Sequence, residues 1–198
     1  MDLWEVVRRR RMVRAFDGRP IEAEVLVRVL DAARRGPSAG FTQALDLLVL
    51  EGEDQTGRYW GLTFPDPAAR ARFRWQGLFA APVLVVPLVS AAAYTARYAE
   101  ADKVTTGLDD PTAWPVPYWW VDGGMALMLL LLAAVNEGLG AALFTLEHPA
   151  EVLATFAVPG DRLPLGTVAL GHPAPDAPGR SAGRRRRPLG EVVHRGSW

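Results

Sequence analysis

Hydrophobic positions along the chain change period several times, and the changes mark out its elements. In "MDLWEVVRRR", Leu3, Val6 and Val7 fall on one helical face, predicting a helix from about Asp2 to Arg9 with arginines at its end. In "PIEAEVLVRVLDAARRG", Val25, Val29, Leu30 and Ala33 share a face. Pro20 opens that helix, Glu22 and Glu24 suit its positive end, and Arg34, Arg35 and Gly36 close it. The short branched runs "ALDLLVLEG" and "PVLVVPLVS" predict buried strands, and "DPAARARFRWQGLFAAP" between them reads as helical. A polar, proline-bearing stretch from Ala101 to Pro117 predicts a covering loop, followed by one long apolar helix in "YWWVDGGMALMLLLLAAVNEGLG". "AALFT" and "LGTVALG" predict strands on either side of a helix in "HPAEVLATFAV". The rest is a Pro/Gly-rich tail whose Leu189, Val192, Val193 and Trp198 predict packing on a partner subunit.

With 198 residues, 49% apolar and 22% charged, the chain is expected to form one domain over 1–198, with about 172–198 as a C-terminal extension. The absence of cysteine excludes disulfides, a thiol nucleophile and cysteine-based metal sites. His148, His172 and His194 lack metal-ligand spacing, so no metal is expected. The acidic, aromatic start "MDLWEVV" is unlike a secretory signal, which makes a cytoplasmic location the expectation. The apolar segment Gly123–Val135 falls short of the ~18 residues that suggest a membrane span, and reads as a buried core helix. No membrane partner is expected.

Two arginine runs, Arg8–Arg11 with Arg14 and Arg184–Arg187, stand near opposite ends of a chain whose formal net charge is zero. A nucleic-acid binder would be net basic, so nucleic acid is not expected as a partner. Two readings stay open: solvated charge at helix and tail ends, or two guanidinium clusters that converge on a phosphate dianion. "GPSAGFTQ" is either an ordinary helix end and turn, or a loop in which Ser38 and Gln43 offer hydrogen bonds while Pro37, Ala39 and Gly40 admit a planar ligand. "GLGAAL" follows a helix where a dinucleotide fingerprint follows a strand, and lacks that motif's third glycine. No nucleophile elbow, Walker sequence or zinc signature occurs.

In order, "RRRRMVRAFD", "GPSAGFTQ", "DGGMALMLLLLAAVNEGLGAALF", "LGTVALGHP" and "RRRRPLGEVV" resemble the nitroreductase family of FMN-dependent oxidoreductases over nearly the whole chain. The resemblance implies a homodimeric α+β fold with a central mixed β-sheet wrapped by helices and a C-terminal extension crossing to the partner. It implies FMN as cofactor, NAD(P)H as electron donor, and a nitroaromatic, quinone or activated alkene as acceptor.

By motif, the implied cofactor-binding residues are Arg10, Arg11, Met12 and Arg14 on the phosphate side, with Arg184 and Arg186, or Arg187 after a one-residue slip. Pro37, Ser38, Ala39, Gly40 and Gln43 match the loop reaching the flavin from the other subunit, and Leu143, Phe144 and Thr145 the segment beside the isoalloxazine. No catalytic side chain is implied, because the flavin carries the hydride chemistry. Met12 stands where the family often has Ser, Phe41 where it often has Asn, and the glycine pattern near Thr145 and Leu146 is absent. These departures make a non-catalytic flavin-binding or flavin-sequestering protein the alternative. Phe41, with Tyr94, Tyr98, Trp114, Tyr118 and Trp119 around the covering loop, is a candidate for the substrate pocket. Core or interface packing is the other reading of the five covering-loop aromatics.

Overall fold

The computed structural model describes residues 1–177, 179 and 183–198. Among the described residues, seven α-helices surround a sheet: α1 Leu3–Arg9, α2 Ala23–Arg34, α3 Gly52–Thr63, α4 Pro67–Arg72, α5 Ala91–Tyr98, α6 Tyr118–Asn136 and α7 Pro149–Thr155. The strands are β1 Leu45–Glu51, β2 Val83–Val89, β3 Gly140–Phe144, β4 Leu163–Pro164 and β5 Thr167–Gly171, in the order β1-β2-β5-β3 with β4 also pairing β2.

All pairings between these strands are antiparallel. The expected mixed sheet is therefore corrected among the described residues: its parallel component is one bridge, Met12 to Ala141, where the segment after α1 runs along β3. Pro87 lies inside β2, a position normally closed to proline because it cannot donate to a ladder. Here the strand passes from pairing with β5 to pairing with β4, and the Pro87 carbonyl accepts the Leu165 N–H at 2.9 Å, so no donor is needed at that point.

Every residue of β2 is buried, and its side chains alternate between two cores. Val83 and Val85 point to the side covered by α2 and α6, where Leu26, Val29, Leu127, Leu130 and Ala134 pack. Leu84, Val86 and Leu88 point to the side covered by α3 and α7, with Tyr59, Trp60, Leu78 and Val152. The result is a sheet between two helical layers, the α+β arrangement expected from the sequence. Close approach of α6 to the sheet requires Gly123, where an added Cβ would lie 2.7 Å from Leu165 Cδ1 and 3.0 Å from Val89.

α6 is longer than its most apolar segment, and by length and composition alone it could cross a membrane, at 19 residues and mean hydropathy 1.6. Its inner face is built into the domain against β2, β3 and α2, and it carries the buried carboxylate Asp122. The stretch read as one helix after Asp66 divides at Phe73 into α4 and a 3-10 turn, Gln76–Ala80. The division lets Phe73 join Phe64 and Phe79, with ring centroids 5.0 and 5.6 Å away. The extension is described only in part. None of its described residues from Arg184 to Trp198 is buried, and a crossing to a partner is not seen in the single chain.

Candidate functional site

The end of α1 directs the chain alongside β3. Val13 N–H donates to Ala141 O at 2.9 Å, and the Met12 thioether accepts the Leu143 N–H at 3.5 Å. A methionine at position 12 thus turns its side chain inward and ties two of the sequence-nominated segments together. Next along, the Arg14 N–H donates to Asp176 Oδ2 at 2.8 Å, and Gly179 lies against the Arg14 guanidinium. The guanidinium sits over the Trp75 ring, 5.1 Å from its centroid, with Nη1 3.4 Å from Met12 O. The N-terminal segment, the end of β3 and the start of the tail therefore meet at Arg14.

Leu143, Phe144 and Thr145 lie between two concavities. One, of about 320 Å³, is walled by Trp60, Phe64, Phe73 and Trp75, with Arg14 and Glu147 in its lining. The other, about 500 Å³ and open, runs over Pro149, Pro164, Leu165 and Gly166. Trp60 stacks on Phe144 at 5.7 Å and 14°, and its buried Nε1 has no hydrogen-bond partner. Burying an indole N–H without an acceptor is costly. A separate cavity of about 430 Å³ holds none of the nominated residues, and its Glu51 and Glu53 are unsuited to an anionic ligand.

The second nominated segment, 37–43, is a strained loop held from three sides. Gly40, Phe41 and Gln43 all have positive φ, at 63°, 56° and 53°, a region unfavourable for residues with a Cβ. Asp122 Oδ2 accepts the Ala39 N–H at 2.8 Å and the Tyr94 hydroxyl at 2.6 Å. Arg97 Nε donates to Gly40 O at 2.9 Å, and Arg97 is itself clamped by both oxygens of Asp102. Within the loop, Ser38 Oγ accepts the Gln43 N–H and Thr42 Oγ1 donates to Ala39 O. Gly40 is also required by space, since a Cβ there would lie 2.8 Å from the Tyr98 ring. Behind the loop, Ser38, Gln43, Tyr94 and Asp122 line a cavity of about 210 Å³. Burial, and then the bond to Asp122, push the Tyr94 phenol far above its ordinary value, so it stays a donor.

Of the covering-loop aromatics, Tyr94, Trp114 and Trp119 are buried and pack edge-on with one another. The Trp114 indole donates to Leu108 O at 2.9 Å. The packing reading describes these three, while Tyr98 is half-buried and Tyr118 exposed. Phe41 is 74% exposed. Arg10 is half-buried, and Arg11, Arg184 and Arg186 are exposed. The Arg187 guanidinium turns back on Glu191 within its own segment. The described residues hold no cluster of three or more metal-ligating side chains.

Sequence reasoning missed Asp122 and Arg97, the braces of the loop. A lone carboxylate inside the most apolar helix was the available signal for Asp122. It also missed Trp60 and Trp75, which wall the cavity beside Phe144. Among the described residues, exposed apolar side chains include Val121, Met125 and Met128 on the outer face of α6, and Leu3, Trp4 and Val7 on α1, which packs against α6.

Comparison with known proteins bears on the family and the fold. The signature of the Nitroreductase family matches residues 7–172. A Methanothermobacter thermautotrophicus protein provisionally named NADH dehydrogenase/NAD(P)H nitroreductase is 26% identical over 179 residues, covering 88% of this chain and 78% of that protein. Among solved structures, a Streptococcus pneumoniae nitroreductase family protein superposes with a TM-score of 0.75 at 14% identity, over 98% of this chain and 100% of that one. A Desulfovibrio desulfuricans protein provisionally named a nitroreductase, solved in complex with FMN, superposes at 0.70 with 20% identity, over 100% and 98%. The chain belongs to the nitroreductase family.

Proposed function

We propose that the protein is an FMN-dependent oxidoreductase that works as a homodimer in the cytoplasm. FMN, when bound, supplies two-electron chemistry, taking hydride from NAD(P)H and delivering electrons to a nitroaromatic, quinone or activated alkene. The observation that carries this reading is the meeting of Met12, Arg14 and Leu143–Thr145 at the end of β3, between two concavities.

The residues there suit the group. Arg14 offers a guanidinium, and the aromatic walls suit a planar ring. In this reading Arg10, Arg11 and Arg14, with Arg184 and Arg186 of the tail, hold the phosphate, and Met12 contributes through its backbone. Arg187 replaces Arg186 if the register slips by one. Leu143, Phe144 and Thr145 flank the ring and keep water from it. Pro37, Ser38, Ala39, Gly40 and Gln43 approach from the other protomer, which is why so strained a loop is braced so thoroughly. The exposed apolar face of α1 and α6 is the surface that pairing would bury, and the apolar side chains of the tail would cross to the partner.

The test is purification, loading with FMN and desalting. The expected product is a yellow protein with one flavin per chain that oxidises NADH or NADPH steadily when a quinone is added. Retention of flavin without turnover would support the sequestering alternative. A colourless protein would overturn both.

A further inference from the structure

Asp122 is 6% exposed, a carboxylate inside the most apolar helix of the chain. Both of its hydrogen bonds, from the Ala39 N–H and the Tyr94 hydroxyl, fall on Oδ2. Among the described residues, Oδ1 takes no hydrogen bond and no cationic side chain is ion-paired with the group. A buried carboxylate served only by neutral donors, and on one oxygen, is poorly compensated once water no longer solvates it.

The residue lines the cavity of about 210 Å³ behind the 37–43 loop, together with Ser38, Gln43, Tyr94 and Arg34. Arg34 is held by Asp31 at 2.5 Å, beside Arg35 on the same carboxylate, and its side chain is 68% exposed. Its charge is thus met outside the cavity. The other three are neutral oxygen-bearing groups. Ser38 Oγ accepts the Gln43 N–H, the Gln43 side-chain amide has no partner among the described residues, and the Tyr94 hydroxyl, kept protonated, retains a lone pair.

This donor set selects the occupant. One carboxylate with neutral hydroxyl and amide oxygens balances a single positive charge, whereas calcium sites draw on several carboxylates and magnesium sites on carboxylates joined by phosphates. The cavity has room for such an ion with part of its water shell.

We propose that this cavity binds a monovalent metal cation, sodium or potassium, through Asp122 with Ser38, Gln43 and Tyr94. The ion neutralises Asp122 and adds a further tie between α5, α6 and the strained loop. The site lies within one chain and stands apart from the flavoprotein reading.

The experiment follows amide hydrogen exchange of residues 38–43 in the purified full chain, in sodium, potassium or N-methylglucamine chloride at equal ionic strength. At about 100 mM, sodium or potassium should slow exchange at Ala39 about tenfold relative to N-methylglucamine, the protection given by a dissociation constant of about 10 mM. The sodium-23 resonance should broaden on adding protein. Asp122→Asn, which keeps an acceptor oxygen and removes the charge, should abolish both effects. Gln43→Met, which removes one neutral oxygen at an exposed position, should weaken the ion dependence several-fold even if the Asn variant loosens the loop. Equal exchange in all three salts, or broadening that persists in Asp122→Asn, would overturn the proposal. An ion effect seen only in Arg34→Ala would also overturn it, by making Arg34 the counter-charge. So would an ion-independent dimer that dissociates in Asp122→Asn, by assigning that role to a basic side chain of a second copy. The readouts need no flavin, so a colourless protein that shows the ion effect would remove the flavoprotein reading alone.

Discussion

The carboxylate of Asp122, on the inner face of α6, accepts the backbone N–H of Ala39 at 2.8 Å across 83 positions of sequence, and the Tyr94 hydroxyl at 2.6 Å. One oxygen atom thus joins α5, α6 and the 37–43 loop. Replacing Asp122 with Ala leaves two donors without an acceptor, at a cost of about 2–4 kcal/mol. Asn keeps an acceptor oxygen and is expected to lose less. Urea unfolding of both variants, with hydrogen exchange of residues 38–43, checks this. Equal losses for Ala and Asn would show that the hydrogen bonds are not the source.

Gly40→Ala places a Cβ on a backbone with φ 63° and against the Tyr98 ring. The backbone term alone is about 1–2 kcal/mol. Combining it with Tyr98→Ala should recover the steric part and leave the backbone part, read as a partial return of the thermal midpoint. Full recovery would mean that the left-handed conformation costs nothing here.

Glu137, just past α6, is bonded to Arg28 of α2, and that bond holds its carboxyl below the ordinary value of 4.5. A carboxylate with a depressed folded-state pKa stabilises the fold above its unfolded pKa, and the contribution disappears as pH falls through the folded value. Arg28→Ala is therefore expected to be slightly less stable than wild type at neutral pH, with the difference closing in acid below the carboxylate range. The Arg28 side chain is more than half exposed, so solvent screening keeps the effect small. A gap that persists unchanged in acid would assign it to packing.

The uncovered face of α1 and α6 predicts the assembly state. Val121→Glu with Met128→Glu puts two charges on that face without touching the buried side, and should convert a dimer to a folded monomer in sedimentation velocity. An unaltered dimer would place the interface elsewhere.

Much of this architecture was legible because burial imposes a period. The alternation of β2 and the stripe of α2 are visible in the sequence since each faces a core, and β3, β5, α6 and α7 follow similarly. Two helices were not legible. In α3, Thr56, Tyr59, Trp60 and Thr63 make the buried face, but Gly57 and Gly61 break the pattern and two threonines blur it. α5 is short and rich in alanine, and it lies between β2 and the expected covering loop, in a stretch where no element was read, its start set by the Ser90 cap. At the candidate site, the motifs nominated the segments but not their supports. Asp122 and Arg97 act through single hydrogen bonds to distant backbone atoms, which leave no periodic trace. The fate of the two arginine runs was equally hidden, because it depends on where the tail goes.

The central claim is that the end of β3 and the basic segment before it hold FMN, and affinity tests it most directly. Flavin fluorescence titration of wild type, Arg10→Ala, Arg14→Ala and Arg186→Ala should show one FMN per chain in the wild type. Each variant should bind more weakly by about 1.5–3 kcal/mol, the range for hydrogen bonds to charged groups. Wild-type affinity in all three variants, or no saturable binding by the wild type, would contradict the account.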